Sequence, residues 1–234
     1  MTAETVWYIT GASRGIGLEL TRQVISSPSA IVLAAVRDPK SATALQGLTA
    51  KGKLHIVQIN TSDEESIVAA AAEAEKLLDG KGIDYLLNNA AISTGDDRAF
   101  KFDVKNLNSC FATNVVGPAL VGREFVHLVE KSEKKTIVNF TSGLSSMALD
   151  HGPQITSYSL SKTGVNMLTY KQAKEKPSLT VVALDPGWVR TDMGGPDAWL
   201  STEEAVGFIL HTVSALKPEQ SGKFIDNKGE IQPW

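Results

Sequence analysis

The sequence predicts an α/β protein: a single domain on a doubly wound, mostly parallel seven-stranded sheet with helices on both faces. Three observations predict it. Short apolar runs alternate with helical patterns along the chain. The first of those runs leads straight into a glycine-spaced loop and then a helix. A length of 234 residues, with 42% hydrophobic and 21% charged side chains, suits one domain with a sizeable core. Alternation implies parallel pairing because parallel neighbours need crossover connections, and the crossover helices cover both sheet faces.

Taken in order, Val6–Thr10 reads as the opening strand and Ile16–Ser26 as the helix behind the glycine loop. Ile31–Val36 and Leu54–Ile59 are the next strands, with a helix expected over Pro39–Leu48 between them. Ser62 followed by Asp63-Glu64-Glu65 makes a Ser-x-x-Glu capping pattern and places a helix over Glu64–Leu78. Tyr85–Leu87 is a short strand ahead of one long helix, Asp103–Lys131. Strand Thr136–Phe140, helix Tyr158–Lys174 and strand Thr180–Leu184 continue the alternation. Ser201-Thr202-Glu203-Glu204 repeats the capping device before a helix over Thr202–Leu216, and Lys223–Asp226 supplies the last strand. In such sheets ligands bind beyond the carboxyl ends of the strands, where strand order reverses, and every motif discussed below follows such an end.

A net charge of −3 leaves no electrostatic footprint for nucleic acid. No stretch approaches the roughly 18 apolar residues of a membrane span. Met1–Thr5 carries neither a basic segment nor a long apolar one, so a cytoplasmic location is expected. One cysteine, Cys110, and four scattered histidines suggest neither an internal disulfide nor a metal site. The glycosylation patterns at Asn60 and Asn139 close expected core strands and are read as chance.

Gly11, Gly15 and Gly17 follow the first strand with Gly-x-x-x-Gly-x-Gly spacing. Gly11 permits a tight turn, Gly15 lets backbone approach a pyrophosphate, and Gly17 lets helix and strand pack closely, with the helix N-terminus favouring negative charge. The acidic residue that would bind the ribose hydroxyls of NAD is missing after the second strand, where Val36 and Arg37 stand. Arg37, with Arg14 in the loop, suits a 2′-phosphate, so NADP(H) is expected in preference to NAD(H), although Asp38 leaves some room for NAD.

Tyr158 and Lys162, four residues apart, face the same way on a helix, so the ammonium can lie beneath the phenol and favour its ionisation. A free phenol has a pKa of about 10, and bringing it near 7 takes roughly 4 kcal/mol of preference for the anion. Together the glycine loop and Tyr158-Ser159-Leu160-Ser161-Lys162 resemble the short-chain dehydrogenase/reductase family, with a likeness that runs from Val6 nearly to Trp234.

That resemblance implies a Rossmann-type fold and a catalytic set of Asn114, Ser142, Tyr158 and Lys162. Ser142 is chosen over Ser145 and Ser146 because it follows the strand directly. Asn114 would distort the long helix and hold a water connected to Lys162. Cofactor contacts carried over are Gly11, Ser13, Arg14, Gly15, Ile16 and Gly17 in the loop, Arg37, then Asn60 and Thr61 after the third strand. Asn88 and Ala90 come from Asn88-Asn89-Ala90-Ala91, in which Ala91 replaces a usual glycine. Tyr158 and Lys162 reach the nicotinamide ribose, and Pro186, Gly187, Val189 and Thr191 cover the nicotinamide.

The implied reaction is NADPH-dependent reduction of an aldehyde or ketone, with Tyr158 as proton donor and Ser142 holding the carbonyl oxygen. Partners implied are a small carbonyl or alcohol substrate and, by family expectation, further copies of the chain in a dimer or tetramer. The short Gly194–Ser201 connection and the C-terminal Gly222–Trp234 segment are most similar to the carbonyl-reductase and C-factor-like branch, and predict an open mouth. An alternative of another class is a catalytically silent, NADPH-binding redox-sensing protein.

Overall fold

A computed structural model describes residues 4–234. Seven strands form one sheet in the order β3-β2-β1-β4-β5-β6-β7, all parallel: β1 Thr5–Thr10, β2 Ala30–Val36, β3 Lys53–Gln58, β4 Tyr85–Asn88, β5 Thr136–Phe140, β6 Thr180–Asp185 and β7 Phe224–Asp226. The chain winds outward from β1 to β3, returns to β4 on the other side of β1, and winds outward again. Strand order therefore reverses between β1 and β4, which opens a crevice at their carboxyl ends.

Side chains alternate across β1, and each set meets its own helical layer. Val6 and Tyr8 pack with Ile67, Ala70 and Ala74 of α3 (Glu64–Leu78) and with Val121, Phe125 and Leu128 of α5 (Gly117–Glu130). Trp7 and Ile9 pack with Leu20 and Val24 of α1 (Gly15–Val24) and with Val206, Ile209 and Val213 of α7 (Thr202–Ser214). Every β2 residue is buried, as a strand covered on both faces requires.

Three expectations need correction. The helix over Pro39–Leu48 shrinks to the single turn α2, Thr43–Gln46, of which Leu45 alone is buried. Asp38 accepts the Lys40 N–H at 3.0 Å, and that local turn competes with an earlier helix start. Ser62 does not cap α3: its hydroxyl hydrogen-bonds that of Thr113 at 2.9 Å, and Asp63 takes the cap by accepting the Glu65 N–H at 3.1 Å. The Ser201 box, by contrast, forms in full with Glu204.

The third correction is the one that shapes the site. The long Asp103–Lys131 helix is three pieces: α4 (Val104–Phe111), a π-helical turn at Ala112–Val116, and α5. Pro118 explains the change, because it has no N–H to give the Asn114 carbonyl one turn earlier and its ring crowds that carbonyl. Asn114 sits inside the widened turn.

Candidate active site

The crevice has a volume of about 1530 Å³ and runs from Arg37 and Asn60 at one end to Gln154 and Gln232 at the other. That is roomier than the roughly 300–1,000 Å³ of most small-ligand pockets, as a dinucleotide lying beside a second reactant would require. The glycine loop forms its floor. Gly11 and Gly15 have φ of +70° and +54°, and a Cβ on Gly17 would lie 2.2 Å from the Gly11 carbonyl oxygen and 2.6 Å from Asn89 Nδ2. No larger residue fits Gly17. Behind it, α1 begins at Arg14 with neither a side-chain cap nor an acid in its first turn, so its free N–H groups face the crevice, as a bound phosphate needs. These residues fit a dinucleotide's pyrophosphate.

Asn89 is a residue that the sequence reading passed over. Its Nδ2 donates to the Thr10 carbonyl at 2.8 Å, while the Asn89 and Ala90 N–H groups both donate to Thr10 Oγ1 at 3.0 Å. The β4 loop is thus stapled to the glycine loop. Asn88, expected as a cofactor contact, points the other way by strand alternation. It is buried, gives its Nδ2 to Asn139 Oδ1 at 2.8 Å, and is absent from the crevice lining. The other expected cofactor residues, Gly11, Ser13 to Gly17, Arg37, Asn60, Thr61, Ala90, Tyr158, Lys162, Pro186, Gly187, Val189 and Thr191, all line it. Asn60 Oδ1 accepts the Ser62 N–H at 3.2 Å, so the acceptor proposed for adenine also closes a local turn. Arg14 reaches across the mouth to Asp192 at 3.1 Å, an exposed pair that an anionic ligand can displace.

At the other end stand Tyr158 and Lys162, on α6 (Thr156–Glu175), and Ser142, just past β5. Tyr158 is half-buried, and its hydroxyl shares the crevice with that of Ser142. Lys162 is buried, donates to the Phe140 carbonyl at 2.7 Å, and lies 5.5 Å from the centre of the Tyr158 ring. The competing serines are occupied elsewhere. Ser145 donates to the Ser142 carbonyl at 2.5 Å and accepts from Asn166 at 2.7 Å, and Ser146 donates to the Pro233 carbonyl at 2.8 Å.

Asn114 does not touch the crevice. Its Oδ1 accepts the Ile92 N–H at 2.8 Å, and its Nδ2 donates to the Ile92 carbonyl and to Ser161 Oγ, both at 2.9 Å. Ser161 in turn donates to the Tyr158 carbonyl at 2.7 Å. The π-helical turn thereby links the β4 loop to the catalytic helix.

Electrostatics depart from the expected phenol near neutrality. Burial pushes Tyr158 well above its ordinary range, the Asp185 carboxylate adds to the rise, and the neighbouring Ser142 hydroxyl opposes it. Burial also brings Lys162 down to about 8, with Asp185 pulling the other way. A phenol in this setting holds its proton at neutral pH, which is the form a proton donor needs. Asp185, unassigned from sequence, is itself raised by burial and held down by the N–H groups of Gly187 and Gly143. The Gly187 bond is 3.0 Å long.

The Gly194–Ser201 connection is held by bonds to the residues just before it. Trp188 donates to the Gly194 carbonyl at 2.7 Å, the Arg190 N–H donates to the Leu200 carbonyl at 2.9 Å, and Trp199 meets Trp188 edge-on at 5.5 Å. Trp199 is 77% exposed, so it makes a lip and no closed wall. The C-terminal tail supplies a wall that the sequence did not signal: the Gln232 N–H donates to the Phe224 carbonyl at 2.8 Å, Trp234 stacks on Phe224, and Glu230 and Gln232 line the crevice.

Comparison with known proteins agrees with this geometry. The family model described as short chain dehydrogenase matches residues 5–198. The chain belongs to that family. A carbonyl reductase from chicken fatty liver, solved with NADPH bound, superposes with a TM-score of 0.92 at 33% identity, covering 100% of both chains. Carbonyl reductase Sniffer of D. melanogaster superposes with a TM-score of 0.93 at 26% identity, over 99% of this chain and 100% of that one. An uncharacterized oxidoreductase of Schizosaccharomyces pombe is 31% identical over 100% of this chain and 99% of its own. The carbonyl-reductase-like branch and the oxidoreductase class follow from these matches.

Proposed function

We propose that this chain is an NADPH-dependent carbonyl reductase that converts aldehydes or ketones to alcohols. The observation that carries the reading is the meeting of Ser142, Tyr158 and Lys162 at one end of a crevice whose other end is a glycine loop opening α1. NADPH, when bound, supplies the hydride; the chain's residues do the rest. Ser142 and Tyr158 both line the crevice, and each donates a hydroxyl to the substrate's carbonyl oxygen. Tyr158 then gives its proton as charge develops on that oxygen, and Lys162 stabilises the phenolate left behind. Arg37, exposed at the adenosine end with no acidic residue in the ribose position, favours the cofactor that carries a 2′-phosphate. The chicken relative with NADPH bound supports the same preference.

The test is NADPH oxidation against a panel of aldehydes, ketones and quinones, with Tyr158→Phe as the control. Turnover that needs the Tyr158 hydroxyl is expected. Absence of turnover across the panel, with NADPH bound normally, would favour the redox-sensing alternative.

A further inference from the structure

Helix α6 starts in an unusual way. Its N-cap, Ile155, is a β-branched residue held in the left-handed region at φ 57°, ψ 43°, and its side chain cannot accept a hydrogen bond from the first turn. One free N–H of that turn, that of Ser157, is met from 60 residues away. Asp97, on the loop after β4, accepts the Ser157 N–H with both oxygens, at 3.1 and 3.3 Å, and also accepts the Ser157 hydroxyl. Asp96 accepts the Ile155 N–H at 3.4 Å while pairing with Arg98. A small closed turn, in which Arg98 and Lys101 exchange backbone hydrogen bonds at 3.1 and 2.9 Å, follows Asp97 directly. Ser157 is buried, Asp97 is half-buried, and the next residue is Tyr158.

We propose that Asp97 is a positioning residue for the proton donor: it clamps the first turn of α6 to the β4 loop and so fixes where the Tyr158 hydroxyl stands relative to Ser142. The inference rests on the reading of Tyr158 as proton donor. Its logic is geometric. Ser142 sits on the β5 loop and Tyr158 near the end of a helix whose own cap supplies nothing, so the distance between the two hydroxyls depends on what holds that end. Asn114 and Ser161 secure Tyr158 from the inner side through its carbonyl, and Asp97 secures it from the outer side. Freed of the clamp, the first turn would fray and Ile155 would leave its strained conformation, drawing the phenol away from the carbonyl oxygen. A displacement on the scale of an ångström costs about a hundredfold in rate when it misplaces a reacting group.

Asp97→Ala, Asp97→Asn and Ser157→Ala are to be compared in the NADPH-loaded protein. For Asp97→Ala, amide hydrogen exchange over residues 155–162 is expected to accelerate at least about tenfold, and kcat to fall on the order of tenfold or more. NADPH affinity should fall far less than kcat, since neither Asp97 nor Ser157 itself lines the crevice. The solvent deuterium isotope effect on kcat/KM should rise, because a misplaced donor makes proton transfer limiting. Asp97→Asn keeps an oxygen for the Ser157 N–H and should recover most of the rate. Ser157→Ala, which removes only the hydroxyl bond, should show the same pattern at smaller size and serves if Asp97→Ala does not fold. Unchanged exchange over 155–162, or a rate loss that moves with NADPH affinity and leaves the isotope effect flat, overturns the inference. A fully active Asp97→Ala beside an inactive Tyr158→Phe defeats the clamp alone. Substantial reduction by Tyr158→Phe defeats the reading of the donor.

Discussion

At residue scale, the chemistry divides between groups whose roles single substitutions can separate. Tyr158→Phe keeps the ring and removes the hydroxyl, so NADPH should bind as before while carbonyl reduction falls by about a thousandfold or more, read as kcat against a saturating aldehyde. Arg37→Ala should weaken NADPH binding by about tenfold, the worth of one charge-assisted contact, and leave NADH nearly unaffected. Fluorescence titration with both cofactors measures the contrast. Lys162 carries a pH signature. Its pKa falls from an ordinary 10.5 to about 8 on burial, so between those values the unfolded chain binds the extra proton and stability rises with pH. Below about 8 the full cost of burying the ammonium is present, roughly 3 kcal/mol, offset in part by the bond to the Phe140 carbonyl. Lys162→Met should therefore be more stable than the parent at pH 7 by on the order of 2 kcal/mol and lose that advantage as pH approaches 10.5. Urea unfolding at pH 7 and pH 10 decides the sign.

At the scale of elements, much of the site was legible because its residues sit at strand ends, where a local pattern and a position coincide. The Gly11–Gly17 spacing after β1 and Ser142 after β5 needed no knowledge of packing. Elements that depend on distant partners were less legible. The π-helical turn had a local sign, Gly117-Pro118 inside an otherwise helical pattern, that identifies where the ladder breaks. Ser62 carried the capping pattern, yet its hydroxyl is taken by Thr113, 51 residues away, and Asp63 caps α3 in its place. Asp97 gave no sign at all, since nothing in a loop sequence says that it caps a helix later in the chain. Asn114 draws on the same long-range bonding. Asn114→Ala would remove three hydrogen bonds and strand the Ile92 N–H, costing on the order of 2–4 kcal/mol in denaturant unfolding, with a fall in kcat as the β4 loop and α6 loosen. A stability loss with full kcat would show that the turn is structural only.

At the scale of the whole molecule, strand alternation predicted the sheet, but the walls of the crevice come from segments that meet only in the folded chain. Leu149, His151 and Ile155 arrive from the stretch after β5, Trp188 from just before the short connection and Trp199 from within it, and Glu230 and Gln232 from the C-terminal tail. Those walls are present, yet the two tryptophans do not close over the site: Trp188 is 44% and Trp199 77% exposed, and their segment is held by its own local hydrogen bonds. A substrate held at Ser142 and Tyr158 therefore keeps much of its far end in water, and groups there contribute little to transition-state binding. Discrimination among carbonyl compounds should follow fit near the two hydroxyls and the readiness of the carbonyl carbon to accept hydride, so electron-poor aldehydes and activated ketones should react best. Measured as kcat/KM over a dozen unrelated carbonyls, the expected spread stays under about a thousandfold, roughly 4 kcal/mol of discrimination. One compound preferred by more than that would require a wall that closes on binding, and the Trp188–Trp199 lip is the segment that would have to move.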